Sequence, residues 1–215
     1  MAAGIVVVDY GMGNLRSVQK AFEHAGHAAE VSADPARVAA AAKLVLPGVG
    51  AFRDAIGRLR ATGLAAAVVA HADGGRPLLG VCLGLQLLFT RSHEDGLFPG
   101  LDLLPGEVVP LPAGRGVKVP HMGWNTLRLL RPDCPLFAGL PPEPAVYFVH
   151  GFYAEPAEAG VTAATADHPD PVCAAVWRGN VFATQFHPEK SQDVGLRMLK
   201  NFAELDPRSA TDRHG

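Results

Sequence analysis

The sequence is short of cysteine, has no excess of either charge and contains no long apolar run, and each shortage removes a class of function. Its three cysteines, Cys82, Cys134 and Cys173, are odd in number and lack the close spacing of a zinc site or a disulfide framework. No metal is therefore expected, and a reducing, cytoplasmic setting fits best. A formal net charge of −2 with both signs dispersed gives no basic footprint for nucleic acid and no polybasic surface for a membrane. Small molecules or another protein are the expected partners. The apolar run from Ile5 to Val8 stops at Asp9, has no basic stretch before it and is far too short to span a bilayer. Internal repeats are missing too, and the Ala-rich stretches 36–42 and 65–70 read as helix-forming composition.

What is present is length and alternation. A chain of 215 residues can bury one substantial α/β core, and a single domain over 1–205 with a polar tail over 206–215 is the expected organisation. Strands are predicted at 4–10, 27–31 and 44–46, separated by helices over 15–25 and from Asp34-Pro35 to near Lys43. Asn14 is placed to cap the first of these helices. A further helix begins near Phe52 or Arg53. This alternation predicts a doubly wound, mostly parallel sheet flanked by helices. From Arg91 onward, short apolar pieces separated by Gly and Pro point instead to an antiparallel extension, with strands at 107–111, 126–130, 145–149, 161–166, 172–177 and 181–185. A last helix is expected over 194–205.

The stretch Pro77 to Leu88 holds the first chemistry. A fully apolar strand runs into Cys82, a helix follows, and Gly80 and Gly84 stand two residues to either side. This is the G-x-C-x-G form of a nucleophile elbow: a tight strand-to-helix turn holds the nucleophile in strained backbone geometry, and small neighbours let the chain pack closely around it. Helix N–H groups aimed at the sulfur would favour the thiolate. The glycine-rich loop Pro47-Gly48-Val49-Gly50 leaves another strand end and could present backbone N–H groups to an oxyanion.

A cysteine nucleophile needs a base, and the base needs an orienting partner. Among nine histidines, His187 is best mounted. It follows an apolar strand, Pro188 stiffens its loop, and Glu189 is near enough to accept its ring N–H. His121 and His150 remain alternatives, although neither has a carboxylate close in sequence. His24, His27, His71, His93 and His168 read as surface or packing residues.

Cys82 in its elbow together with Phe186-His187-Pro188-Glu189 resembles the triad glutamine amidotransferases. Five further pieces narrow the resemblance to the glutaminase subunits of imidazole glycerol phosphate synthase. They are Asp9 to Leu15, Pro47 to Gly50, Pro120 to Asn125, Tyr147 to His150 and Gln185 to Ser191, and the likeness runs from about residue 5 to 202. It implies hydrolysis of glutamine by the triad Cys82, His187 and Glu189, with no cofactor. Backbone groups of Leu83 and of the Val49-Gly50 peptide would hold the oxyanion. Gly50, Gln86, Glu94, His150, Gly151 and Phe152 would line the glutamine pocket. The implied partner is a HisF-like (β/α)8-barrel cyclase subunit that receives the ammonia in a heterodimer, facing Asn14, Trp124, Tyr147 and Lys190. The chain departs from the family pattern at His93, where an acidic residue is common, and at Gly151, where a hydroxyl residue is usual.

Overall fold

The computed structural model describes residues 3–112 and 118–206. The first half alternates as predicted: β1 (Ala3–Val8), α1 (Leu15–His24), β2 (Ala29–Ser32), α2 (Pro35–Ala39), β3 (Ala41–Gly48), α3 (Phe52–Ala61), α4 (Leu64–Asp73), β4 (Leu78–Cys82) and α5 (Leu83–Leu87). Short strands then dominate: β5 (Phe89–Ser92), β6 (Phe98–Pro99), β7 (Leu104–Pro110), β8 (His121–Thr126), β9 (Arg128–Leu129), β10 (Ala145–His150), β11 (Phe152–Pro156), β12 (Thr162–Asp167), β13 (Pro171–Arg178) and β14 (Val181–Thr184). Helix α6 (Gln192–Glu204) closes the described part.

Eight strands form the central sheet in the order β2-β1-β3-β4-β14-β13-β12-β9. The five from β2 to β14 are parallel, and β13, β12 and β9 extend them antiparallel. Because side chains alternate along a strand, each inner strand feeds two cores. Val6, Val8, Leu44, Leu46 and Leu78 meet Phe52, Leu59, Leu64 and Leu85 on one face. Ile5, Val7, Val45, Leu79 and Val81 meet Val18, Phe22 and Phe202 on the other. Strand β4, buried at every position, lies between β3 and β14 with helices over both faces. Such a strand reads as continuously apolar, which is why 77–81 has no alternation. Outside this sheet, β8 and β10 form an antiparallel ribbon, and β11-β7-β5-β6 a small second sheet.

The differences from the sequence reading have local causes. The helix starting at Asp34-Pro35 ends at Ala39, not near Lys43, because Ala41 and Lys43 pair with Ala3 and Ile5 of β1. Asp34 does cap it, its Oδ1 accepting the Ala36 N–H at 2.9 Å. Asn14 stands at the N-cap of α1 but its side chain makes no capping bond. The single strand expected at 126–130 is divided between β8 and β9, and the Leu127 N–H between them donates to Pro144. The strand expected at 107–111 begins earlier, at Leu104, where it pairs with β5. Of the polar tail, 207–215 lies outside the described residues. No helix among the described residues is long and apolar enough to cross a membrane.

Candidate active site

The parallel strands β3, β4 and β14 end side by side, and their exits carry the loop 47–50, Cys82 and His187. Ligand sites in open α/β sheets form in this position, beyond the carboxyl ends of neighbouring strands. Cys82 is the corner itself: its φ of 56° and ψ of −113° lie in the left-handed half of the map, a conformation that costs a non-glycine residue energy and is held by its surroundings. The surroundings are tight. A Cβ on Gly84 would sit 1.8 Å from the Leu46 carbonyl oxygen, and one on Gly80 2.9 Å from that of Gly84.

His187 is clamped by its own peptide. Its N–H donates to the Tyr147 carbonyl at 3.0 Å, and its carbonyl accepts the Ser191 hydroxyl at 2.7 Å. The same Ser191 oxygen accepts the Tyr147 N–H at 3.0 Å, so one serine locks the His187 loop to β10. The ring is held from behind by Glu189, whose Oε1 lies 2.8 Å from Nδ1. Nε2 has no regular hydrogen-bond partner among the described residues. Burial disfavours the charged ring, but the neighbouring Cys82 and Glu189 outweigh it and raise its pKa to about 9. A ring so raised is protonated at neutral pH.

Cys82 and His187 open onto one pocket of about 190 Å³, lined also by Val49, Gly50, Leu83 and Gln86 on one side and by Glu94, Val149, His150, Gly151 and Phe152 on the other. Every sequence-predicted oxyanion and glutamine residue thus meets at a single cavity. Gly50 has φ +88°, available to glycine at little cost, and the Pro47 carbonyl at the root of its loop accepts the buried Tyr10 hydroxyl at 2.9 Å. Burial first, then the nearby Cys82, pushes that phenol well above its ordinary pKa, so Tyr10 stays a neutral donor.

Glu94 accepts the Phe52 N–H at the start of α3 at 2.8 Å. Burial raises its carboxyl pKa more than that bond lowers it. His93, its neighbour, points elsewhere and pairs with Glu107, which Arg91 also contacts.

The alternative bases are engaged. His150 Nδ1 is 2.9 Å from the Phe152 carbonyl and its Nε2 is 3.0 Å from His121 Nδ1. Burial holds both rings down at a pKa of about 4. With His121 Nε2 facing the Asn125 amide, neither ring has a nitrogen left for Cys82.

The four residues expected at a partner surface fall into one neighbourhood. Trp124 and Tyr147 are register partners in the ribbon, with ring centroids 6.1 Å apart and edge-on. Lys190 Nζ lies 5.9 Å from the Tyr147 ring. Asn14 is exposed at the head of α1, which packs beside the Lys190 turn. Trp124, 51% exposed, and Met122, 63% exposed, form an apolar surface of the kind that marks interaction sites.

Sequence reasoning gave no role to Tyr10, Gln185 or Ser191. Gln185 bridges Gln86 and the Cys82 sulfur, and the only trace of this in sequence is a polar residue closing an otherwise apolar strand.

The model of the class-I glutamine amidotransferase family matches residues 6–205. The HisH subunit of imidazole glycerol phosphate synthase from Syntrophotalea carbinolica is 58% identical over 206 residues, covering 94% of this chain and 100% of the relative. That from Geobacter metallireducens is 54% identical, covering 94% and 98%. Among solved structures, a glutamine amidotransferase aligns with a TM-score of 0.72 at 23% identity, covering 94% of this chain and 100% of the other. PurLQS from Thermotoga maritima aligns with a TM-score of 0.68 at 21% identity, covering 94% and 98%. These two share the fold. The chain belongs to the class-I glutamine amidotransferases and, within them, to the HisH subunits of imidazole glycerol phosphate synthase.

Proposed function

We propose that this chain is the glutaminase half of a cytoplasmic imidazole glycerol phosphate synthase heterodimer. It hydrolyses glutamine to glutamate and ammonia. A HisF-like (β/α)8-barrel cyclase subunit then uses the ammonia to form imidazole glycerol phosphate and aminoimidazole carboxamide ribotide in histidine biosynthesis. The observation that carries the reading is the Cys82 corner at positive φ, in one pocket with a His187 that Glu189 holds through Nδ1.

The geometry supports the following chemistry. Glu94 binds the ammonium of glutamine and Gln86 a further polar group. The Cys82 thiolate attacks the side-chain amide carbon, and the oxyanion that forms is held by backbone N–H groups of Leu83 and of the Val49-Gly50 peptide. His187 gives its Nε2 proton to the departing nitrogen, releasing ammonia and leaving a thioester. Nε2 then takes a proton from water, whose oxygen attacks the thioester carbon, and the proton returns to sulfur as glutamate departs. Glu189 keeps the ring oriented throughout. Ammonia leaves toward the partner on the Trp124, Tyr147, Lys190 and Asn14 face.

The test is ammonia transfer by the chain mixed with its cognate cyclase subunit. Cys82→Ala is expected to abolish glutamine-dependent product while the two subunits still associate and free ammonium salts still support cyclisation. Glutamine-dependent turnover by that variant would overturn the assignment.

A further inference from the structure

The two imidazoles set aside as bases belong to a longer polar chain whose direction is determined from both ends. The Phe152 carbonyl can only accept, so the His150 Nδ1 at 2.9 Å must carry the proton. A neutral His150 then presents a bare Nε2, and the His121 Nδ1 at 3.0 Å must donate to it. A neutral His121 in turn leaves its Nε2 as an acceptor, which the Asn125 amide Nδ2 meets at 3.2 Å. The far end fixes the same answer independently. Asn125 Nδ2 also donates to the Asp167 carbonyl at 2.9 Å, and its Oδ1 accepts the Thr126 N–H at 2.8 Å, so the amide is not reversed.

From the Phe152 carbonyl the chain continues to the nucleophile. That oxygen also accepts Gln86 Nε2 at 2.9 Å, and the other Nε2 hydrogen of Gln86 goes to Gln185 Oε1 at 3.1 Å. With its oxygen accepting, Gln185 turns its amide N–H toward the Cys82 sulfur, 3.8 Å away. Both hydrogens of Gln86 being used, only its oxygen remains for a ligand.

We propose that Asn125 and His121 are positioning residues for glutamine hydrolysis, acting through a hydrogen-bond chain of fixed polarity that runs from the exposed β8–β10 ribbon to Gln86 and, through Gln185, to the Cys82 thiol. On the ribbon side each role is set by the neighbour, so reversing one link forces the next up to the Phe152 carbonyl, which accepts from both His150 and Gln86 and so ties Gln86 to the chain by position. The mounting of His121 is rigid: its ring is stacked between Phe148, with centroids 4.5 Å apart, and His168, 4.1 Å apart. Packing alone would ask for any flat ring at this position. What the chain adds is a demand for hydrogen-bonding capacity on that ring.

The inference rests on the glutaminase reading for its kinetic consequence and not for its spectroscopic one. Long-range proton–nitrogen spectra of the 15N-labelled full-length chain are expected to show His121 and His150 neutral with the proton on Nδ1 at neutral pH. In complex with the cognate cyclase subunit, His121→Phe, which keeps the stack and deletes the link, is expected to raise KM for glutamine about tenfold with kcat within about threefold. His121→Gln, which restores a donor toward His150, is expected to recover most of that loss. Asn125→Asp, which turns an acceptor toward His121 Nε2, is expected to move a proton onto that nitrogen in the spectra. A wild-type His150 protonated on Nε2 would overturn the proposal, as would a KM unchanged in both His121→Phe and Asn125→Asp. A wild-type complex that releases no ammonia from glutamine would instead overturn the function reading, and the tautomers then decide the chain by themselves.

Discussion

Glu189 holds His187 through a 2.8 Å bond from Nδ1 to Oε1, with the two side chains only 2% and 3% exposed. A charge-assisted bond shut away from water does two things for the ring. It keeps a proton on Nδ1, and it lowers the cost of charging Nε2 when that atom takes up a proton. Glu189→Gln keeps the shape and removes the charge, and it allows the amide to present its N–H to the ring and favour the wrong tautomer. The expected result is a fall in kcat on the order of a thousandfold, with KM for glutamine near the parent value. Steady-state ammonia release by the complex checks this, and an unchanged kcat would take Glu189 out of the mechanism.

The pH dependence has a definite sign. The folded pKa of His187 is raised to about 9 from an ordinary 6.5. The native state therefore binds this proton more tightly than the unfolded chain does. The stability this contributes is complete below about 6.5 and is lost as pH rises through about 9. In the proposed mechanism the same proton is given to the departing nitrogen, so kcat/KM is expected to decline on the alkaline side with an apparent pKa near 9. Cys82→Ala removes one of the groups that raise it. Proton NMR titration of that variant should place the His187 pKa lower than in the parent; an identical value would mean that thiol and ring are not coupled.

The residues proposed as a triad are legible in the sequence because they are local. Gly80 and Gly84 bracket Cys82 within five residues, and Glu189 follows His187 by two. Strand order in the first half is legible for a similar reason, since helices and strands simply alternate. What escapes is anything set by register between distant segments. Gln86 and Gln185 are 99 positions apart, Gln86 and Phe152 are 66 apart, and no periodicity announces that they meet. The His121–His150 contact depends on the β8–β10 pairing that sets those two residues opposite each other. The early end of α2 is a case of tertiary override: Ala41 and Ala42 suit a helix by propensity, but they begin β3, where Ala41 pairs with Ala3 of β1.

Two glycines separate the fold from the reaction. A methyl on Gly84 would lie 1.8 Å from a backbone oxygen of β3, and β3 is held in the sheet on both sides and cannot yield. Gly84→Ala is therefore expected to lower stability by more than the roughly 1–3 kcal/mol of ordinary overpacking, read as a reduced urea midpoint. At Gly50 the nearest atom to such a methyl is the tip of the Met12 side chain at 3.0 Å, which can move. The cost there is conformational, at φ +88°, about 1 kcal/mol or somewhat more. Gly50→Ala should lower the urea midpoint less than Gly84→Ala does and lose glutaminase turnover, because the displaced peptide is the one assigned to the oxyanion. A variant with parental turnover would leave Leu83 as the sole donor.

Glu94 makes a structural bond and is proposed to bind glutamine, and one substitution can divide the two. Its Oε2 accepts the Phe52 N–H at the start of α3, a bond that a neutral carbonyl oxygen can also accept. Its charge, by contrast, is held at a cost: burial raises the carboxyl pKa, and Asp95 and Asp54 raise it further against the single bond from Phe52. A half-buried carboxylate crowded by like charges accords with the proposed binding of a cation, and the α-ammonium of glutamine is such a cation. Glu94→Gln should then leave the thermal midpoint of the free chain unchanged or slightly higher, since the cap persists and the repulsion is gone. KM for glutamine should rise, by about tenfold or more for the loss of a partly buried ion pair, while kcat changes little because the triad is untouched. Melting curves and glutamine titrations on the same preparation read both quantities. A lower midpoint with an unchanged KM would make Glu94 a helix cap and nothing more.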